Sequence, residues 1–115
     1  MAKILVMLIT GKDNINTEMV SFNFAANAVK NAKANVEFLF LGRGVQAADK
    51  RHKNSPQFEE QVDELLKLGI KVTICKVSMA GEGITEADIF PGIEMVLGGV
   101  EVNSKIENGY AIITF

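Results

Sequence analysis

Hydrophobic residues recur along the chain in two rhythms. Ile4-Leu5-Val6-Met7-Leu8-Ile9 is an unbroken apolar run, the pattern of a central parallel strand buried on both faces. Residues 36–41 repeat it with only Glu37 interrupting. Residues 71–75 alternate, with Val72 and Ile74 on one face and Thr73 and Cys75 on the other. Residues 93–97 and 110–114 complete a set of five predicted strands. Between the strands the period lengthens to that of a helix. Met19, Phe22, Ala26 and Val29 line one face of residues 17–33, with Asn16 or Thr17 as N-cap. Residues 55–68 carry a buried stripe of Phe58, Val62, Leu65 and Leu66. Ser55 is their cap, Pro56 takes the first helical position and Gly69 the left-handed end. Thr85-Glu86-Ala87-Asp88 has the spacing of a capping box with Asp in place of Glu, and Pro91-Gly92 stops that short helix. A last helix runs over about residues 100–107 and ends at Asn108-Gly109.

Strands and helices in this alternation predict an α/β fold. Its form is a three-layer sandwich with a central, mostly parallel five-stranded sheet and helices on both faces. No linker, repeat or low-complexity stretch divides residues 1–115, so a single domain is expected. Ligands in such folds bind beyond the carboxyl ends of the strands, here residues 10–16, 42–54 and 75–86.

Composition narrows the class. A chain of 115 residues that is 48% hydrophobic and 23% charged can bury a core and is not disordered. One cysteine excludes a disulfide scaffold. The longest apolar run, six residues, is too short for a bilayer span or a signal-peptide core. No small-residue cleavage site precedes Thr10-Gly11-Lys12, so a cytoplasmic, reducing setting without membrane contact is expected. A net charge of −2 argues against direct nucleic-acid binding. The charge is uneven along the chain: Arg43, Lys50, Arg51 and Lys53 face only Asp49 in residues 42–53, while six acids face only Lys105 in residues 82–107. Such asymmetry serves anion binding, a charged partner or subunit docking, or is simply a solvated surface.

Cys75 is the chain's one thiol, and it ends a predicted strand just where residues 76–80 can open a helical turn. Unpaired backbone N–H groups and the adjacent Lys76 would favour its thiolate; the alternative is a small hydrophobe packed inside the sheet. Gly81 and Gly83 around Glu82 predict a loop beside the thiol. Leu41-Gly42-Arg43-Gly44 runs from a strand into a Gly-x-Gly turn that either presents N–H groups to an anion or is a tight turn needing positive φ. Gly42, Arg43, Gly44 and Lys76 are therefore the candidates for substrate or anion binding. No cofactor motif is present. The Gly-x-Gly turn lacks the third glycine of the dinucleotide fingerprint, and Gly11-Lys12 is followed by Asp13 where a phosphate loop needs Ser or Thr. One Cys and one His do not make a metal site, and His52, alone in the basic segment, reads as a surface residue.

Three stretches in this order resemble the DsrE/DsrF-like sulfur-relay family, which includes TusD-like proteins, over nearly the whole chain. They are Ile74-Cys75-Lys76-Val77-Ser78-Met79 leading to Gly83-Ile84; Phe40-Leu41-Gly42-Arg43-Gly44-Val45; and Gly92-Ile93-Glu94-Met95-Val96 through Gly99-Val100 to Gly109-Tyr110-Ala111. The resemblance implies a compact subunit, flavodoxin-like in outline, that assembles into homotrimers or homohexamers. It further implies sulfane sulfur carried as a persulfide on Cys75. With no second cysteine the chain cannot resolve a persulfide internally, so the next thiol belongs to another protein or a small sulfur compound. Two functional readings follow. One is a sulfur carrier or sulfurtransferase subunit acting with sulfur donors and acceptors. The other is a non-enzymatic oligomeric binding or scaffold protein of the same fold, with Cys75 as packing. Nucleotide or phosphate binding at Gly42-Arg43-Gly44 is a third and lesser possibility. Self-association also has a physical motive in the mean hydropathy of +0.17 and in Met79, Ile84, Ile89 and Phe90, which lie in a segment expected to be too short to bury them all in one subunit.

Overall fold

The computed structural model describes residues 1–115. Five strands form one sheet: β1 (Lys3–Leu8), β2 (Asn35–Phe40), β3 (Lys71–Cys75), β4 (Glu94–Val96) and β5 (Ala111–Thr114). Their spatial order is β4-β3-β2-β1-β5 and every pairing is parallel, where the sequence suggested a mostly parallel sheet. The helices are α1 (Ile15–Ala32), α2 (Ser55–Lys67), α3 (Lys76–Gly81) and α4 (Gly98–Glu107). Right-handed crossovers from β1 through β3 put α1 and α2 on one face. The long return from β4 to β5 carries α4 across the other.

The core lies under α1 and α2. Strand alternation sends Val6 and Leu8, Phe38 and Phe40, and Ile74 toward it, and Phe22 and Phe58 fill the space between sheet and helices. Phe22 stacks on Phe38 with ring centres 5.2 Å apart. Element boundaries shift by a few residues from the sequence expectation, for local reasons. Asn14, rather than Asn16 or Thr17, caps α1, because its side-chain oxygen accepts the Thr17 N–H at 3.1 Å. Asn54 precedes α2 in place of Ser55, its carbonyl accepting the Phe58 N–H at 3.1 Å. Helix α4 begins at Gly98, earlier than the propensity of two glycines would allow, because that glycine is packed against the sheet.

Two expectations are corrected. Met79, Ile84, Ile89 and Phe90 are all buried within this one subunit, so they supply no motive for assembly. The segment reaches the core by folding over the end of the sheet, where Phe90 N–H donates to the Ala48 carbonyl and Asp49 bridges Ile89. His52 is not a surface residue: its side chain is 4% exposed. Its ring packs edge-on against Phe58 at 4.7 Å, and its Nδ1 accepts the Asn54 N–H at 3.0 Å.

The residue facing His52 is Glu18, in the first turn of α1. It is fully buried, and neither carboxyl oxygen has a hydrogen-bond partner. Burial first, and the negative charge of Asp13 second, push its pKa up to about 7. A carboxyl group raised in the folded state leaves stability intact below its usual 4.5 and removes it progressively as pH climbs to about 7.

Two predictions follow from this packing. A Cβ at Gly44 would lie 1.9 Å from the Leu8 carbonyl oxygen, a backbone atom that cannot step aside. Gly44→Ala should therefore cost about 2 kcal/mol or more in chemical denaturation, and a loss of only a few tenths would refute the close approach. Glu18→Gln should match the parent below pH ~5 and exceed its stability by about 3 kcal/mol at pH ~8. Parallel stability curves for the two proteins across that range would show that Glu18 is not held neutral by burial.

Candidate functional site

Cys75 closes β3 and stands at the N-cap of α3, beside the free amides of that helix end, although its Sγ makes no capping hydrogen bond to them. The face alternation of β3 sends it to the α4 side of the sheet, away from the aromatic core. There the N-terminus of α4 meets it. A Cβ at Gly98 would come within 3.1 Å of the Cys75 Sγ and 2.6 Å of Leu41 Cδ1, so glycine is what lets this helix end approach the sulfur.

Cys75 is 5% exposed, and burial acting alone would raise the pKa of its thiol. The net shift is nonetheless downward. The Ser78 hydroxyl and the backbone N–H groups of Ser78, Gly98 and Val77 all favour the thiolate and together outweigh burial. Ser78 is itself oriented, because its oxygen accepts the Gly42 N–H at 2.9 Å. That leaves the hydroxyl proton free to turn toward sulfur.

Helix α4 is held over this face by charge rather than by apolar packing. Lys105 Nζ lies 3.0 Å from Glu37 Oε1 on β2 and 3.9 Å from Glu101 Oε2 one turn back, and Tyr110 donates its hydroxyl to Glu37 at 3.2 Å. Burial lowers the Lys105 pKa, but Glu37 and Glu101 reverse this and the net shift is upward, so the ammonium form is secure. The sheet-facing stripe Gly98, Glu101, Lys105 is thus polar, while Val100 and Ile106 point outward at 66% and 57% exposure.

The residues expected from the sequence to bind an anion do not converge with Cys75 as a group. The Gly42 N–H is donated to Ser78 and the Gly44 N–H to the Leu41 carbonyl at 3.0 Å, so both amides are already used within the fold. Residues Gly42–Ala48 coil into a 3-10 helix in which Gly42 takes a positive φ of 57°. Arg43 turns away toward Asp13, 3.8 Å distant, and Lys76 is exposed at the start of α3. Sequence reasoning missed Ser78 and Gly98 as partners of the thiol. Ser78 had a signal, the three-residue spacing from a helix-capping position. Gly98 had none, being brought from across the β3–β4 connection by strand pairing alone.

The fold and the thiol's surroundings can be set beside known proteins. No curated protein sequence matches this chain. Among solved structures, MTH1491 from Methanobacterium thermoautotrophicum superposes with a TM-score of 0.80 at 16% identity, over 100% of both chains. The ychN protein from E. coli does so with a TM-score of 0.81 at 16% identity, again over 100% of both. BT1422 from Bacteroides thetaiotaomicron gives 0.75 at 19% identity over 98% of this chain and 94% of its own. These likenesses establish a shared architecture. The family itself is settled by sequence, since the DsrE/DsrF-like family model matches residues 3–115. The chain belongs to the DsrE/DsrF-like family.

Proposed function

We propose that this protein is a sulfur-relay subunit that carries sulfane sulfur as a persulfide on Cys75. The observation that carries the reading is the convergence of two helix N-termini, those of α3 and α4, on a nearly buried thiol, an environment that with the Ser78 hydroxyl favours the thiolate against burial. A thiol that served only as packing would need none of them. In the loading step the Cys75 thiolate attacks the outer sulfur of a donor persulfide. The donor's S–S bond breaks, its thiolate leaves and Cys75–S–SH forms. In the unloading step an acceptor thiolate attacks that outer sulfur, taking it away and returning Cys75 as the thiolate. Each departure and arrival of negative charge at Sγ is met by the amides of Val77, Ser78 and Gly98. Lys76, exposed beside the thiol, draws an anionic donor or acceptor, with Arg43 further along the same edge.

The rival reading, a binding or scaffold protein with Cys75 as packing, takes its support from the low exposure of the sulfur and from its position outside every cavity of the subunit. Intact mass separates the two. After incubation with a persulfide donor the parent should gain one sulfur atom and Cys75→Ser none, while the substitution costs about 1 kcal/mol or less in stability. Failure of every donor to load Cys75, with alkylation no faster than that of free cysteine, would leave the scaffold reading. Ser78→Ala should slow alkylation at neutral pH several-fold and move the midpoint of its pH profile upward, back toward the ordinary thiol range. An unchanged profile would remove Ser78 from the site.

Self-association belongs to the same proposal. Val77, Leu97 and Val100 are exposed around the thiol end of the subunit, and a homotrimer or homohexamer would cover them. Light scattering should give three or six times the 12.5 kDa of one chain, and Val100→Glu should lower that mass. A parent that remains monomeric at micromolar concentration would overturn the assembly.

A further inference from the structure

The α1/α2 side of the same sheet edge carries a feature that the thiol does not use. Two cavities of about 350 and 340 Å³ share Lys12, Arg51 and His52 in their walls, and Lys53, Asp49 and Glu82 complete the charged lining. The charges do not cancel. Asp49 is engaged by Arg51 at 2.9 Å, and Glu82 accepts a hydrogen bond from Gln46 at 2.7 Å. The ammonium groups of Lys12 and Lys53 are exposed and meet no acceptor, as is also true of Lys33, Lys67 and Lys76, but of these five only Lys12 and Lys53 line the cavities.

Behind the shared wall lies the unpartnered pair of the core. His52 Nε2 and both Glu18 oxygens lack hydrogen bonds, and they face each other at 3.9 Å with side chains 4% and 0% exposed. Because Nδ1 accepts the Asn54 N–H, the neutral ring carries its proton on Nε2, toward Glu18. The other charged groups around the pair are Asp13 from the β1–α1 loop and Asp49 from the loop before α2, while α2 contributes only the Phe58 ring. Burial holds the His52 pKa down. Asp49 acts against this, and Lys12 and Lys53 add to it. An anion seated between those two ammonium groups cancels their field at the imidazole. With that positive charge offset, the protonated form of the Glu18 carboxyl, whose unpartnered oxygens lie 3.9 Å from His52 Nε2, is favoured further, while Nδ1 stays unprotonated as the acceptor of the Asn54 N–H.

We propose that the joined cavities bind a tetrahedral oxyanion between Lys12 and Lys53, and that the buried His52–Glu18 pair takes up a proton as the anion enters. The site is independent of sulfur chemistry at Cys75. Lys12 and Lys53 supply the attraction, and the pair behind them stores the compensating proton away from water.

Calorimetric titration with sulfate at neutral pH, in two buffers of different ionisation enthalpy, tests both parts. Saturable binding with net proton uptake is expected. The doubly substituted Lys12→Gln, Lys53→Gln protein should bind about tenfold more weakly or worse. Glu18→Gln should still bind sulfate but lose most of the proton uptake. Adenosine monophosphate, titrated in parallel, separates a free from an ester-borne oxyanion: tighter binding than sulfate marks the ester, and weaker binding the free ion. No saturable heat from either anion at tens of millimolar would overturn the site, as would affinity unchanged in the lysine variant. Proton uptake unchanged in Glu18→Gln would overturn the role of the pair.

Discussion

The balance at one sulfur atom depends on how closely backbone amides can approach it. Taking a thiol out of water disfavours its anion, and at Cys75 that penalty is exceeded only because donors arrive from two helix ends and one hydroxyl at once. The first helix end comes with the chain, since α3 begins at the next residue. The second does not. Helix α4 must cross the whole sheet between β4 and β5, and its first amide stays near sulfur only while the helix is held at the right height. The Glu37–Lys105–Glu101 cluster provides that hold, two turns along the same stripe. The polarity of α4 is thus inverted relative to a core helix: its charges fix it to the sheet, and its aliphatic residues are left facing out.

Much of the architecture was readable from hydrophobic rhythm because the central strands β1, β2 and β3 are buried, whereas the edge strands β4 and β5 are largely exposed. Continuous apolar runs such as Ile4 to Ile9 admit few other interpretations, and the Ser55-to-Gly69 region carried both its stripe and its end signals. Boundaries failed where tertiary contact overrides local preference. Gly98 and Gly99 are poor helix formers, yet they open α4; at Gly98 a larger residue would collide with Leu41 and Cys75, while a Cβ at Gly99 would meet open space. Met79, Ile84, Ile89 and Phe90 were misjudged because a short segment was assumed unable to fold back. The Ala48–Phe90 hydrogen bond and the bridge between Asp49 and Ile89 supply the missing second layer.

The candidate site divides the same way. Cys75 stood out because a thiol at a strand tip before a helical turn is a local pattern. Its partners beyond Ser78 are products of topology, and no spacing rule joins residue 75 to residue 98. Glu18 and His52 are a sharper instance. His52 was read as a surface residue from its basic segment, and nothing in the sequence singled out Glu18. Only the packing of the loop before α2 against the first turn of α1 encloses them together.

These two centres share one edge of the sheet but open to opposite faces, and the alternation of strand side chains keeps them apart. The chain that touches both is the segment from Gly42 to Asn54. Its first amide orients Ser78 beneath the sulfur, Gln46 ties the Lys12 backbone to Glu82, and His52 ends it against Glu18. The segment after Cys75 also joins the two, since Val77 and Ser78 lie at the sulfur and Glu82 and Ile84 line the first cavity. Along the segment from Gly42 to Asn54, Gln46 and Gly42 stand between His52 and the Ser78 hydroxyl. The tight seat of Gly44 against the Leu8 carbonyl lies between them. It anchors the segment to β1, so displacement of the loop is resisted there before it reaches Ser78.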